Sequence, residues 1–124
     1  MDLNELTYNI NGAIFEVNKI LGSGFLEKVY ENALVVELRQ RGLQAEAQHP
    51  ISVVYKNQPV GEYFADIVVE DQVVIELKSQ TDLNSMHKAQ LLNYLKATGM
   101  RIGLLVNFTY PKAIIQRVVL ELEE

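Results

Sequence analysis

The hydrophobic pattern of the chain changes its period near residue 43, and this change restricts the possible folds more than any other feature. Before it, apolar residues recur every three or four positions in two stretches, Leu3 to Leu21 and Leu26 to Leu38. That spacing predicts two amphipathic helices, separated at Gly22 to Gly24. After residue 43, β-branched and aromatic residues accumulate in short runs, which predicts strands. The chain is therefore expected to be neither all-α nor all-β.

The second half of the chain extends this order. Three strands are predicted at Ile51–Tyr55, Tyr63–Val69 and Val73–Lys78, with turns at Lys56–Pro59 and Glu70–Gln72 that make them an antiparallel meander. A helix from about Ser85 to Thr98 follows, and then two strands, Arg101–Phe108 and Ala113–Leu122. The predicted order is ααβββαββ, with no internal repeat and no linker. This order predicts one α/β domain over residues 1–124, in which helices flank a mixed sheet.

Composition excludes several classes of protein. The sequence contains no cysteine, which rules out disulfides, thiolate zinc sites, iron–sulfur clusters and a cysteine nucleophile. The apolar runs are only a few residues long, far short of the roughly 20 that cross a bilayer. The first residues lack the basic and apolar regions of a signal peptide. We therefore expect no membrane association and a cytoplasmic location.

Charge is distributed unevenly along the chain. The formal net charge is −5, which argues against a protein that coats nucleic acid without specificity. Yet no acidic residue lies between Leu83 and Leu120, a stretch that carries five basic residues: Lys88, Lys96, Arg101, Lys112 and Arg117. A basic half beside an acidic half is compatible with a polyanion held against a carboxylate cluster. Sparse solvated surface charge explains the same pattern.

Three charged residues on the predicted meander stand out. Glu76 and Lys78 are two residues apart on one strand, so their side chains leave the same face of the sheet. Asp66 lies on the preceding strand, and its face depends on the hairpin register. A three-residue connection at Glu70–Gln72 places Asp66 opposite Glu76, with Cβ atoms about 5 Å apart. A two-residue turn at Glu70 and Asp71 instead turns Asp66 to the other face.

Two facing carboxylates repel each other, and a protein keeps them together more readily when a cation lies between them. A hard divalent cation, Mg²⁺ or Mn²⁺, is held by such oxygens, and it would lower the pKa of a bound water. Lys78 beside it could orient that water or offset charge in a phosphoryl transition state. Taken alone, however, the spacing of Asp66, Glu76 and Lys78 is more typical of polar positions on a solvated hairpin face.

The order of elements and these residues together resemble the PD-(D/E)XK nuclease superfamily. Its core has a helix, a three-stranded meander, a helix and a strand, and it carries an Asp on the second strand and Glu-X-Lys on the third. The segment Gly24-Phe25-Leu26-Glu27-Lys28-Val29-Tyr30 is similar to the motif of the GxxExxY branch. The resemblance covers residues 3–122 and implies a restriction-endonuclease-like fold. One departure is that Ala65, rather than proline, precedes Asp66.

The resemblance also implies residue roles. Glu27, Asp66 and Glu76 would hold the metal and Lys78 would be the catalytic lysine. Gln90 and Tyr94, four residues apart on one helix face, match the Gln-x-x-x-Tyr of the RecB-like branch and would contact substrate. Without the resemblance, Gln90 and Tyr94 would be assigned no role, Glu27 is more typical of a helix surface, and Tyr30 is more typical of a packing residue.

Two further helix residues are candidates for substrate binding. His87 precedes Gln90 by one helical turn and could touch a phosphate or transfer a proton near neutral pH. Lys88 belongs to the basic stretch and could contact the polyanion. Both positions are also typical of plain helix surface.

These features together predict a metal-dependent nuclease that hydrolyses a phosphodiester of DNA or RNA, with DNA favoured. The alternative is a catalytically silent nuclease-fold module that binds nucleic acid or a protein partner. A homodimer is compatible with the small size of the domain. No base-reading element is recognisable in the sequence, so substrate preference and endo or exo action are not predicted.

Overall fold

The computed structural model describes residues 1–78, 85–109 and 112–121. Three helices and five strands follow in the order ααβββαββ, as predicted. The helices are α1 (Leu3–Leu21), α2 (Glu27–Gln40) and α3 (Ser85–Thr98). The strands are β1 (Ala45–Tyr55), β2 (Gln58–Val69), β3 (Val73–Lys78), β4 (Ile102–Asn107) and β5 (Ile114–Val119). Among the described residues, no helix has the length and apolarity to cross a membrane.

The five strands form one mixed sheet in the order β1-β2-β3-β4-β5. Strands β3 and β4 are parallel, and the other neighbours are antiparallel. A parallel pair needs a crossover connection, and α3 lies in it. The crossover must bring the chain back to the end of the sheet at which β3 begins, so α3 runs in the direction opposite to β3. The N-terminal end of α3 therefore lies near the carboxyl end of β3, where Glu76 and Lys78 are found.

Helices cover both faces of the sheet, and β3 shows which side chains face which layer. Val73, Ile75 and Leu77 pack in the core formed with α1 and α2. Val74 packs with Leu91 and Leu95 of α3 in a second core. By the alternation of side chains along a strand, Glu76 and Lys78 leave the sheet on the face of α3.

The hairpin of β1 and β2 is longer than predicted. Strand β1 begins at Ala45 instead of Ile51, and β2 begins at Gln58 instead of Tyr63. The turn consists of Lys56 and Asn57 alone, both with positive φ (48° and 64°). Two left-handed residues match the twist of a hairpin, so pairing continues directly from Tyr55 to Gln58. The prediction of a turn through Pro59 was wrong for this reason.

The early start of β1 has a further cause. Its first residues have weak strand propensity, and Pro50 lies among them, but β1 is an edge strand and pairs only with β2. An edge strand tolerates proline because its outer N–H groups need no partner. At the other end of the chain, β5 ends at Val119, and Leu122, the predicted end of this strand, lies outside the described residues.

Candidate active site

The connection of β2 and β3 brings Asp66 opposite Glu76. Val69 pairs with Val73, so residues 70–72 form the three-residue connection, and the pairing continues to Ile67 and Ile75. Glu70 and Asp71 adopt positive φ values of 54° and 52°, which give the connection its tight return. Of the two registers left open by the sequence, the structure adopts the one that turns Asp66 toward Glu76.

Backbone pairing between β2 and β3 stops where the two carboxylates begin. The last paired residues are Ile67 and Ile75. Beyond them the Asp66 backbone N–H donates to Glu76 Oε1 at 3.3 Å, and the Leu77 backbone N–H donates to Asp66 Oδ2 at 2.8 Å. The side chains of the carboxylate pair, Asp66 and Glu76, thus satisfy backbone groups that an extended ladder would have paired. The sheet is therefore split between β2 and β3 at this point, where side-chain hydrogen bonds replace backbone pairing.

Burial governs the electrostatics of the carboxylate pair. Glu76 is only 5% exposed. Burial first, and then the charge of Asp66, raise the pKa of Glu76 to about 9, while Lys78 acts in the opposite direction. At neutral pH and without a bound cation, the raised pKa favours the protonated form of Glu76. Lys78 is half-buried, two residues further along the same face of β3.

Helix α3 covers this side of the sheet, and its predicted residues divide into two groups. Tyr94 is buried, and burial, then Glu76 and then Asp66 raise its pKa. Tyr94 and Gln90 line a groove between α3 and the β1–β2 hairpin, which we name the α3 groove. His87 is half-buried and Lys88 is exposed, and neither is among the residues that line this groove, whereas Lys96 is.

On the opposite side of the sheet, Asp66 lines a cavity of about 470 Å³ beside α2, which we name the α2 cavity. Glu27, the first residue of α2, lines the same cavity. Asp66 is thus open to the α2 side, while Tyr94, whose pKa responds to both carboxylates, lines the groove on the other side. The carboxylate pair therefore spans the split in the sheet.

The motif around Glu27 fixes the start of α2. Gly24 has a φ of 107°, a conformation that favours glycine. The buried hydroxyl of Tyr30 donates to the Gly22 carbonyl at 2.6 Å and accepts from the Phe25 backbone N–H at 3.2 Å. Its ring stacks on Phe108 at 4.3 Å. Tyr30 therefore packs and anchors the loop that leads to Glu27.

Two residues of the α2 cavity were missed by sequence reasoning. Glu31 is buried and accepts from Gln48 Nε2 at 2.6 Å and from the ammonium of Lys28. Gln48 has a φ of 53° within β1, and the paired residues on either side of it place it across from Asp66. Glu31 lies four residues after Glu27, so the sequence could have placed both on one face of the helix. Nothing in the sequence indicates the conformation of Gln48.

A divalent cation fits the carboxylate pair. Mg²⁺ binds through one or two carboxylates and retains several waters, and two contacting carboxylates, one of them buried, supply those oxygens. Among the residues described, no group of three or more His, Asp or Glu side chains is positioned to hold a metal ion. Glu27 shares the α2 cavity with Asp66 but does not complete such a group. Of the three predicted ligands, Asp66 and Glu76 are the two that the structure brings into contact.

Comparisons with known proteins identify the family and the fold of this chain. The model of a family described as the PD-(D/E)XK nuclease superfamily matches residues 4–118. No curated protein matches the chain in sequence.

Two solved structures share the fold. The crystal structure of SSO0001 superimposes with a TM-score of 0.60 at 20% identity, over 77% of this chain and 50% of the other, so the chain spans half the length of that protein. An alkaline exonuclease from Laribacter hongkongensis gives a TM-score of 0.56 at 12% identity, over 90% of this chain and 69% of the exonuclease.

Proposed function

Because the chain belongs to the PD-(D/E)XK nuclease superfamily, we propose that it is a metal-dependent nuclease that hydrolyses phosphodiester bonds of DNA. The observation that carries the proposal is the contact of Asp66 with the buried Glu76 at the split between β2 and β3, with Lys78 on the same strand face. A buried pair of carboxylates destabilises the fold, and binding of a catalytic cation would explain why the protein has one.

Each residue has a role that follows from its position. Asp66 and Glu76 would hold Mg²⁺ or Mn²⁺. When bound, such a cation supplies Lewis acidity toward a phosphoryl oxygen and makes a neighbouring water more acidic. Lys78 positions the attacking water and offsets negative charge that develops on the phosphate. Glu27 faces the same cavity as Asp66 and would bind the cation through water, while Gln90 and Tyr94 would hold the substrate strand, with His87 and Lys88 contacting its phosphates.

Within the superfamily, we assign the chain to the GxxExxY branch. The conformation of Gly24, the start of α2 at Glu27 and the anchoring contacts of Tyr30 support this assignment, because each motif residue has a distinct structural task. A cytoplasmic location is supported by the absence of cysteine. A homodimer stays a prediction, and the mass in solution tests it.

The test is cleavage of labelled single-stranded and duplex DNA, and of RNA, with Mg²⁺, Mn²⁺ or EDTA. Wild type should cleave only with a divalent cation. Asp66→Asn and Lys78→Ala should lose about 100-fold or more, while Glu62→Gln, which removes an exposed carboxylate of β2, should retain activity. Equal rates for Asp66→Asn and wild type would refute the assignment. An inactive wild type that still binds nucleic acid would make the chain a binding module.

A further inference from the structure

The α3 groove has a chemical character different from that of the carboxylate pair. Its volume is about 770 Å³, larger than the α2 cavity. Val54 and Tyr63 of the hairpin form one wall, and Met86, Gln90 and Lys96 of α3 belong to the other. Val54, Tyr63 and Met86 are large apolar or aromatic side chains exposed to solvent. The groove therefore offers surfaces for flat apolar groups and amides for hydrogen bonds.

The groove leads to the carboxylate pair. It follows α3 from Met86 to Ala97, a length of about 16 Å at 1.5 Å per residue. Because α3 runs opposite to β3, the end of the groove at Met86 lies toward the carboxyl end of β3. Tyr94 joins the two regions, because it lines the groove and, after burial, the charges of Glu76 and Asp66 contribute to its raised pKa.

The charges along the groove indicate which form of nucleic acid it can bind. Lys96 is the one charged side chain among the described residues that line it, and none of them is acidic. A duplex presents phosphates outward and is held by many cations, whereas a single strand offers base faces that stack on aromatic side chains. One cation with apolar and aromatic walls matches the second case.

Resting on the proposed nuclease function, we propose that the α3 groove binds four to five nucleotides of single-stranded nucleic acid and delivers the strand to the carboxylate pair. The number assumes that the bound strand keeps the stacked spacing of a helical strand, about 3.4 Å per nucleotide, along a groove of about 16 Å. Bases stack on Tyr63, and Lys96 contacts one phosphate. The substrate class of the site is then a single strand or a single-stranded end.

Binding is measured by fluorescence anisotropy with labelled oligothymidine and oligouridine of 15 nucleotides and a duplex of equal length, in EDTA so that no strand is cut. Tyr63→Ala should weaken single-strand binding about tenfold. Phe64→Ala is the matched control, because Phe64 is as exposed as Tyr63, at 49%, but does not line the groove. It should remain within twofold of wild type. Lys96→Ala should reduce the salt dependence by about one phosphate contact.

The outcomes separate the groove from the catalytic proposal. Weaker binding by Tyr63→Ala supports the groove whether or not wild type cleaves DNA. Equal binding by the Tyr63 and Phe64 variants, tighter binding of the duplex, or no single-strand binding by wild type would overturn it while leaving a cleavage result intact. Loss of a dimer in Tyr63→Ala, measured by light scattering, would instead make the groove an interface between two copies of the chain.

Discussion

Replacing Glu76 by glutamine should stabilise the protein, and increasingly so as the pH rises. The pKa of Glu76 is about 9 in the folded protein, against 4.5 for the ordinary side chain. Between these values the folded state holds a proton that the unfolded chain releases, so the free energy of unfolding of wild type falls with rising pH. Below about pH 4.5 the group is protonated in both states and costs nothing.

The slope sets the magnitude. One proton of difference corresponds to about 1.4 kcal/mol per pH unit. From pH 5 to pH 7, Glu76 should therefore lower the free energy of unfolding by up to about 3 kcal/mol. Glutamine at this position cannot ionise, yet its side-chain oxygen can still accept from the Asp66 backbone N–H. The advantage of Glu76→Gln over wild type should be small at pH 5 and large at pH 8.

The assay is urea unfolding in EDTA at several values between pH 5 and pH 8, with circular dichroism as the signal. Asp66→Asn is the matched variant, because it removes the second cause of the raised pKa and leaves the first, burial, in place. It should keep part of the pH dependence that Glu76→Gln abolishes. A stability difference between Glu76→Gln and wild type that does not change with pH would refute this reasoning.

Mg²⁺ gives the same experiment a second arm. A cation bound by the ionised carboxylate pair competes with the proton, so Mg²⁺ should stabilise wild type more at pH 8 than at pH 6. Glu76→Gln should respond much less, because it retains only the carboxylate of Asp66. Equal stabilisation of both proteins by Mg²⁺ would place the binding of the ion elsewhere.

Substitutions at Tyr30, Gly103 and Gln48, each with a matched variant, test local packing and backbone conformation by thermal or urea unfolding. Tyr30→Phe removes a hydroxyl with two backbone partners and should cost about 1–3 kcal/mol, whereas Tyr8→Phe on the exposed surface should cost almost nothing. Gly103→Ala would place a Cβ 2.8 Å from Leu91 and should cost about 1–3 kcal/mol, part of which Leu91→Ala in the same chain should restore. Gln48→Gly should be more stable than Gln48→Ala by about 1 kcal/mol, because only glycine accepts its φ of 53° freely, and equal stability would contradict this.

The sequence predicted best the elements whose bounds depend only on the periodicity of their apolar residues. The bounds of α1 follow from its apolar stripe and from Gly22, and β3 follows from an apolar run bounded by a turn. Strand β1 was predicted too short because its first residues form a strand only through pairing with β2. Propensity describes single residues, whereas an edge strand depends on its neighbour.

The candidate site also has features that the sequence could predict and features that depend on the folded structure. The contact of Asp66 with Glu76 was one of two registers, and the choice depended on the backbone of Glu70 and Asp71, which both adopt a left-handed conformation. The raised pKa of Glu76 could not be predicted from the sequence, because its first cause is burial in the folded protein. Sequence reasoning named the residues that meet, but not how deeply the fold buries them.

The hairpin that carries Asp66 and Glu76 also has a consequence for the order of folding. The two residues are ten positions apart, and a hairpin of this size closes within about 1–10 μs. Helix α3 and strand β4 follow later in the chain, and a parallel pairing across a crossover forms more slowly. The acidic groups thus meet while still in water, as two ions. We expect Glu76 to lose its hydration when the later elements dock, so its pKa should rise only at that stage of folding.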